Sequence, residues 1–169
     1  RGLTAAQFNA IPAEVKASIE TLDLTSVNVT GFDFSGFTAL KALNLNNAQG
    51  LVAAQFNGIL LQAKASIENL GLSGDGDDLI SDMDITGFDF SDFTSLKTLD
   101  LGSSRGLTVG QFNAIPVEVK ASIENLYLAS VNVTGFDFSG FTNLKTLDLY
   151  IIRGLTAEQF NTIPNKDSL

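Results

Sequence analysis

Five acidic residues, Asp75, Asp77, Asp78, Asp82 and Asp84, crowd into the phrase SGDGDDLISDMD that runs from Ser73 to Asp84. Carboxylates at that density offer several hard oxygen ligands, which is the chemistry of calcium, and Asp75, Asp77, Asp78 and Asp82 are the candidate ligands. The same stretch also reads as a solvated surface loop. Elsewhere the residue types for reactive chemistry are scarce. The chain has no Cys and no His, which removes disulfides, thiolate nucleophiles, imidazole bases and ordinary zinc sites. Paired carboxylates for acid and base work must oppose one another across a cleft, and no spacing here specifies that. There is no nucleophile elbow, Ser-x-x-Lys motif or phosphate loop. The expectation is a protein that is not an enzyme and holds no cofactor, with calcium at the acidic phrase as the one exception to test.

Composition narrows the partners. A chain of 169 residues with 44% hydrophobic and 17% charged side chains is expected to form one folded domain, 1–169. Ten Lys and Arg against 19 Asp and Glu give a net charge of −9, which repels phosphate backbones and anionic lipid. Nucleic acid is therefore not an expected partner. No run of 18 apolar residues is present, so membrane insertion is not expected, and no charged-then-apolar leader is visible.

The chain repeats itself. GLTAAQFNAIPAEVKASIETL from Gly2 returns as GLVAAQFNGILLQAKASIENL from Gly50, GLTVGQFNAIPVEVKASIENL from Gly106 and a shorter GLTAEQFNTIP from Gly154. Between these lie VTGFDFSGFTALKALNL, ITGFDFSDFTSLKTLDL and VTGFDFSGFTNLKTLDL, beginning at Val29, Ile85 and Val133. Each half carries an apolar residue, two variable positions and then Leu-x-Leu: IETLDL, LKALNL, IENLGL, LKTLDL, IENLYL and LKTLDL. This frame resembles the leucine-rich repeat family. The resemblance implies an α/β fold: a curved, right-handed solenoid with a parallel β-sheet on its concave face and short helices and irregular turns on the convex one. Units of about 21 and about 27 residues alternate, with an acidic insertion of eight residues near 73–84.

One departure stands out. The position three after the second Leu, where the family usually carries an Asn that bonds the turn, holds Val27, Ala48, Asp75, Ser104, Val131 and Ile152, while Asn28 and Asn132 fall one place later. Either those Asn residues serve a shifted turn or the backbone is satisfied otherwise.

On this frame the residues alternate between core and solvent. Just after the first apolar position run Glu20, Lys41, Glu68, Lys97, Glu124 and Lys145, a strict alternation of sign suited to cross-strand pairing. Between the two Leu run Asp23, Asn44, Gly71, Asp100, Tyr127 and Asp148, and beyond the second Leu Thr25, Asn46, Ser73, Gly102, Ala129 and Tyr150. The family resemblance implies that such a face binds other macromolecules. Asp23, Asn44, Asp100, Tyr127, Asp148 and Tyr150 are the candidate partner-binding residues, the Tyr as interface anchors and the Asp as acceptors for a partner with a basic patch.

The remaining elements must support that face. Thr4-x-x-Gln7, Thr108-x-x-Gln111 and Thr156-x-x-Gln159 are capping-box spacings, with Phe8, Ile11, Val15 and Ile19 on one helical face. Pro12, Pro116 and Pro164 predict a helix broken in two. The second copy has Val52 and Leu60 in place of Thr and Pro, which predicts a weaker start and a smoother helix. The Phe residues of the FDFSGF phrases read as a stacked core rather than a ligand box.

The chain starts and stops inside repeats, which suggests a fragment of a longer array or end-to-end self-association. The absence of the Cys-rich caps usual in extracellular animal members of the family suggests a bacterial secreted or cell-surface protein. The function expected is a protein-binding module. The alternative is a structural, self-associating or calcium-steadied segment of a larger bacterial surface protein.

Overall fold

In the computed structural model, which describes residues 2–75 and 83–168, each Leu-x-Leu frame forms one three-residue strand. These are β1 (Thr21–Asp23), β2 (Ala42–Asn44), β3 (Asn69–Gly71), β4 (Thr98–Asp100), β5 (Asn125–Tyr127) and β6 (Thr146–Asp148). They pair in parallel and in chain order, in an open sheet whose register places Leu22, Leu43, Leu70, Leu99, Leu126 and Leu147 in one row. Strand residues point alternately to the two faces, so that row and the row at Leu24 to Leu128 enter the core while the residues between them face outward. Parallel strands need a crossover, and the long units supply it with paired short helices on the opposite side.

The helices are α1 (Ala5–Asn9) and α2 (Ala13–Lys16), α3 (Ala53–Asn57) and α4 (Leu61–Ser66), α5 (Val109–Asn113) and α6 (Val117–Ser122), and α7 (Ala157–Thr162). Thr4, Thr108 and Thr156 cap their helices as the spacing predicts. The second copy breaks as sharply as the others, contrary to the smooth helix its sequence predicts: Leu60 takes φ −57° and ψ 141°, against −57° and 148° for Pro116. Packing therefore imposes the break, because Phe56 and Ile59 before it and Ala63 after it are all buried, and the Pro merely fits it. The start of α3 is weaker, as expected: the Gln55 side chain accepts from the Val52 N–H at 3.2 Å, but Val52 has no oxygen to return the bond. Val15 departs from its predicted buried face and is exposed, whereas its counterparts Ala63 and Val119 are buried.

The Phe residues form three copies of one cluster. Phe112 stacks on Phe136 at 4.2 Å and on Phe141 at 5.5 Å and meets Phe138 edge-on at 5.4 Å. Phe8 and Phe56 head equivalent clusters. The rings are core, with every Phe of the FDFSGF phrases buried.

A buried lysine lies against each cluster. The Lys120 ammonium sits 5.7 Å from the ring centres of both Phe112 and Phe141 and donates to the Asp137 carbonyl at 3.3 Å. Lys16 repeats this over Phe8 and Phe37, and Lys64 lies over Phe93, 3.5 Å from the Asp92 carboxylate. Gly140 and Gly36 leave room for the stems: a Cβ at either would come 2.8 Å from the lysine Cδ.

The missing Asn ladder has a replacement built from the QFN phrase. Asn113 donates to the Gly135 carbonyl at 3.1 Å and accepts from the Asp137 N–H at 2.8 Å, and Asn9 and Asn57 brace Gly31–Asp33 and Gly87–Asp89 in the same way. Gln111 donates to the carbonyls of Ile85 at 2.9 Å and Phe88 at 3.4 Å, with Gln55 and Gln159 as equivalents. The shifted Asn residues also act: Asn28 and Asn132 accept from the N–H two residues on, and Asp84 does the same. Both of the sequence's alternatives thus operate together.

Candidate functional site

The outward face of the sheet carries a depression of about 340 Å³ over β1 to β5. Four of the six candidate residues line it, namely Asp23, Asn44, Asp100 and Tyr127. Asp148 on β6 and Tyr150 beyond it lie outside the depression, and Tyr150 is 69% exposed.

Gly71 on β3 lies in the floor of the depression and makes room for the side chains beside it. Every other strand has a side chain in that slot, whereas here a Cβ would fall 2.7 Å from Asn46 Oδ1 and 3.0 Å from Asn44 Oδ1. The two amide oxygens lean over the glycine because each has a backbone donor to satisfy: Asn44 Oδ1 accepts from the Asn46 N–H at 3.0 Å, and Asn46 Oδ1 from the Ser73 N–H at 2.8 Å. The Ser73 hydroxyl continues the chain to Asp100, whose Oδ1 accepts from the Gly102 N–H at 3.0 Å. A relay of side chains thus crosses β2, β3 and β4 around a missing one.

Four residues of this ladder, three acids and one amide, have a second task that their spacing did not announce. Asp23, Asn44, Asp100 and Asp148 each accept from the N–H two residues on, closing the strand end. For Asp23 the hydroxyl and N–H of Thr25 hold the carboxyl below its usual value. Asp100 goes the other way. Burial pushes its carboxyl up, Asp148 adds to the effect, and the hydrogen bonds from Gly102 and Ser73 oppose it.

Beside the depression the charged ladder forms as predicted, with Glu20 and Lys41 at 3.0 Å, Glu68 and Lys97 at 2.7 Å, and Glu124 and Lys145 at 2.8 Å. These exposed pairs support register weakly and neutralise one another.

Of the proposed calcium ligands, Asp77, Asp78 and Asp82 lie outside the described residues, and Asp75 is exposed. Among the described residues no cluster of three or more Asp or Glu is placed to hold a metal ion. No helix among them is long and apolar enough to cross a membrane.

Sequence reasoning named the ladder but not the hollow, the buried lysines or the QFN brace. The signal for the hollow was present as the one glycine in the Leu-x-Leu slot, and for the brace as the exact return of QFN in four copies.

One short parallel strand per repeat, taken in chain order and backed by short helices, defines a leucine-rich-repeat solenoid with an open, polar sheet face. No family model matches the sequence, and no curated protein matches it. Solved structures similar to the chain include an internalin (inlF) from Listeria monocytogenes, at a TM-score of 0.45 and 14% identity, over 89% of this chain and 47% of that one. The chain spans about half the length of that internalin.

Proposed function

We propose that this chain is a protein-recognition module, not an enzyme, and that its partner docks on the outward sheet face between Asp23 and Tyr150. The observation that carries this reading is the depression over β1 to β5, walled by amides, carboxylates and a tyrosine and left uncovered by helices. Six strands at about 4.8 Å spacing make a strip of roughly 25 Å, the width of a protein surface rather than of a metabolite. Catalysis is a poor fit. The one partly buried carboxylate in the depression, Asp100, has no Lys, Arg, His or Cys beside it in the lining to serve as a second catalytic group.

The test is affinity capture from the native source with wild-type protein beside a Tyr127→Ala, Tyr150→Ala double variant, both checked for folding. A protein held by the wild type alone, whose binding slows hydrogen exchange in β3 to β6, supports the reading. Equal capture by both proteins moves the site elsewhere. No capture, with both eluting as multimers, favours the structural array.

A further inference from the structure

The hollow at Gly71 has a chemistry of its own. Its lining holds two carboxylates, Asp23 and Asp100, and no cation. The Asn44 and Asn46 amide oxygens point over the Gly71 floor, and Asp100 stands on the neighbouring strand, about 4.8 Å away by strand spacing. Oxygens therefore converge on the floor from β2 and from β4. Tyr127, half-buried on the next strand, closes the far side with a ring. The nearest lysines of the charged ladder, Lys41 and Lys97, are already paired with Glu20 and Glu68. A carboxylate with lone pairs to spare, amide oxygens beside it and an aromatic face together match a planar guanidinium, which can bond the acid through its fork and lie against the ring.

We propose that the depression beside Gly71 is a subsite for an arginine side chain of the protein partner, with Asp100 as its counter-charge and Gly71 setting specificity by letting the Asn44 and Asn46 amide oxygens lean in as further acceptors. The inference rests on the reading that the sheet face binds a protein, and it names the chemistry that this partner must present. A side chain at position 71 would displace the Asn44 and Asn46 amide oxygens that lean over the glycine, and with them the acceptors beside Asp100.

The test titrates the folded protein with acetyl-Gly-Arg-Gly-amide and with the neutral isostere acetyl-Gly-citrulline-Gly-amide, following backbone amides by NMR. Expected are saturable shifts at Gly71, Ser73 and Gly102 with the arginine peptide and none with the citrulline one. Asp100→Asn keeps an acceptor for the Gly102 N–H but loses the charge, and should weaken the arginine peptide about tenfold. Gly71→Ser should abolish the shifts while distant amides stay in place. Equal response to arginine and citrulline, or an unchanged affinity in Asp100→Asn, overturns the subsite. So do shifts of the same amides by calcium or by chitotriose where the arginine peptide moves nothing. If the subsite fails while the double tyrosine variant still loses its partner, the arginine is wrong and the sheet face stands.

Discussion

Asp100 and Lys120 are both ionisable groups placed where charge is unwelcome, and their signs can be worked out separately. Burial raises the Asp100 carboxyl in the folded chain, so the folded state holds that proton more tightly than the unfolded one. Its ionised form at neutral pH therefore opposes folding, and the penalty fades as pH falls through the carboxylate range. Asp100→Asn is expected to raise the urea midpoint at pH 7 and to have no effect near pH 3, by parallel denaturation curves. Asp33, Asp84, Asp89 and Asp137 behave oppositely. Hydrogen bonds from Ser35, Thr86, Ser91 and Ser139 lower them, so the stability they add above the usual carboxylate range is lost as pH falls. Lys120 is lowered by burial, with Asp137 opposing. Stability should rise as pH climbs through its folded value toward its unfolded one. Lys120→Met keeps the packed stem and removes the buried charge, and is expected to leave the melting temperature unchanged or higher. A clear fall would show that the two rings and the Asp137 carbonyl outweigh the burial cost.

Elements were legible where periodicity alone decides them. The six Leu-x-Leu frames placed all six strands and their register, because a one-residue slip would turn the Leu row to solvent. The helix break at Leu60 was not legible, since it arises from buried anchors before and after it, Phe56, Ile59 and Ala63, and not from the residue at the break. The Gln of QFN read only as a capping partner, because its second task joins residues 23 and 26 apart. That task can be measured against an internal control. Gln111 and Gln7 both close a capping box, but only Gln111 also braces a preceding turn. Gln111→Ala should cost about 1–3 kcal/mol more than Gln7→Ala in chemical denaturation, and equal costs would remove the brace from the account. Phe138→Ala should cost about 3–5 kcal/mol through the cavity left beside Phe112 and Phe141, and a near-neutral result would contradict the stacked core. The turn after β6 holds Ile151 at φ 53°, where its equivalents are Ser26, Asn47, Ser103 and Ser130. A β-branched residue is strained there, and the side chain is exposed, so Ile151→Asn should stabilise the chain by about 1 kcal/mol.

For the whole molecule the repeat period carried the architecture, since six copies in order leave one way to stack them. The candidate site was legible as a row of side chains but not as a shape. One glycine in the Leu-x-Leu slot marks the place in the sequence but not the shape, because the walls come from residues 44, 46, 100 and 127, which only folding brings together. Among the described residues each strand pairs only with its neighbours in chain order. Damage should therefore stay local: in Phe138→Ala, hydrogen exchange should quicken in β5 and β6 well before β1 and β2, and uniform quickening would point to a single cooperative block.

The alternation of Glu and Lys along the strands carries an implication for how such a chain can grow. Glu–Lys contacts join β1 to β2, β3 to β4 and β5 to β6, and the lone bridges at Asn28–Gln49, Asp84–Arg105 and Asn132–Arg153 fall at the same alternate junctions. Duplicating or deleting one unit would set Glu beside Glu and leave a Gln with no carbonyls to reach. Lengthening by gene duplication must therefore proceed in steps of two units, and tandem copies should be bounded by whole pairs.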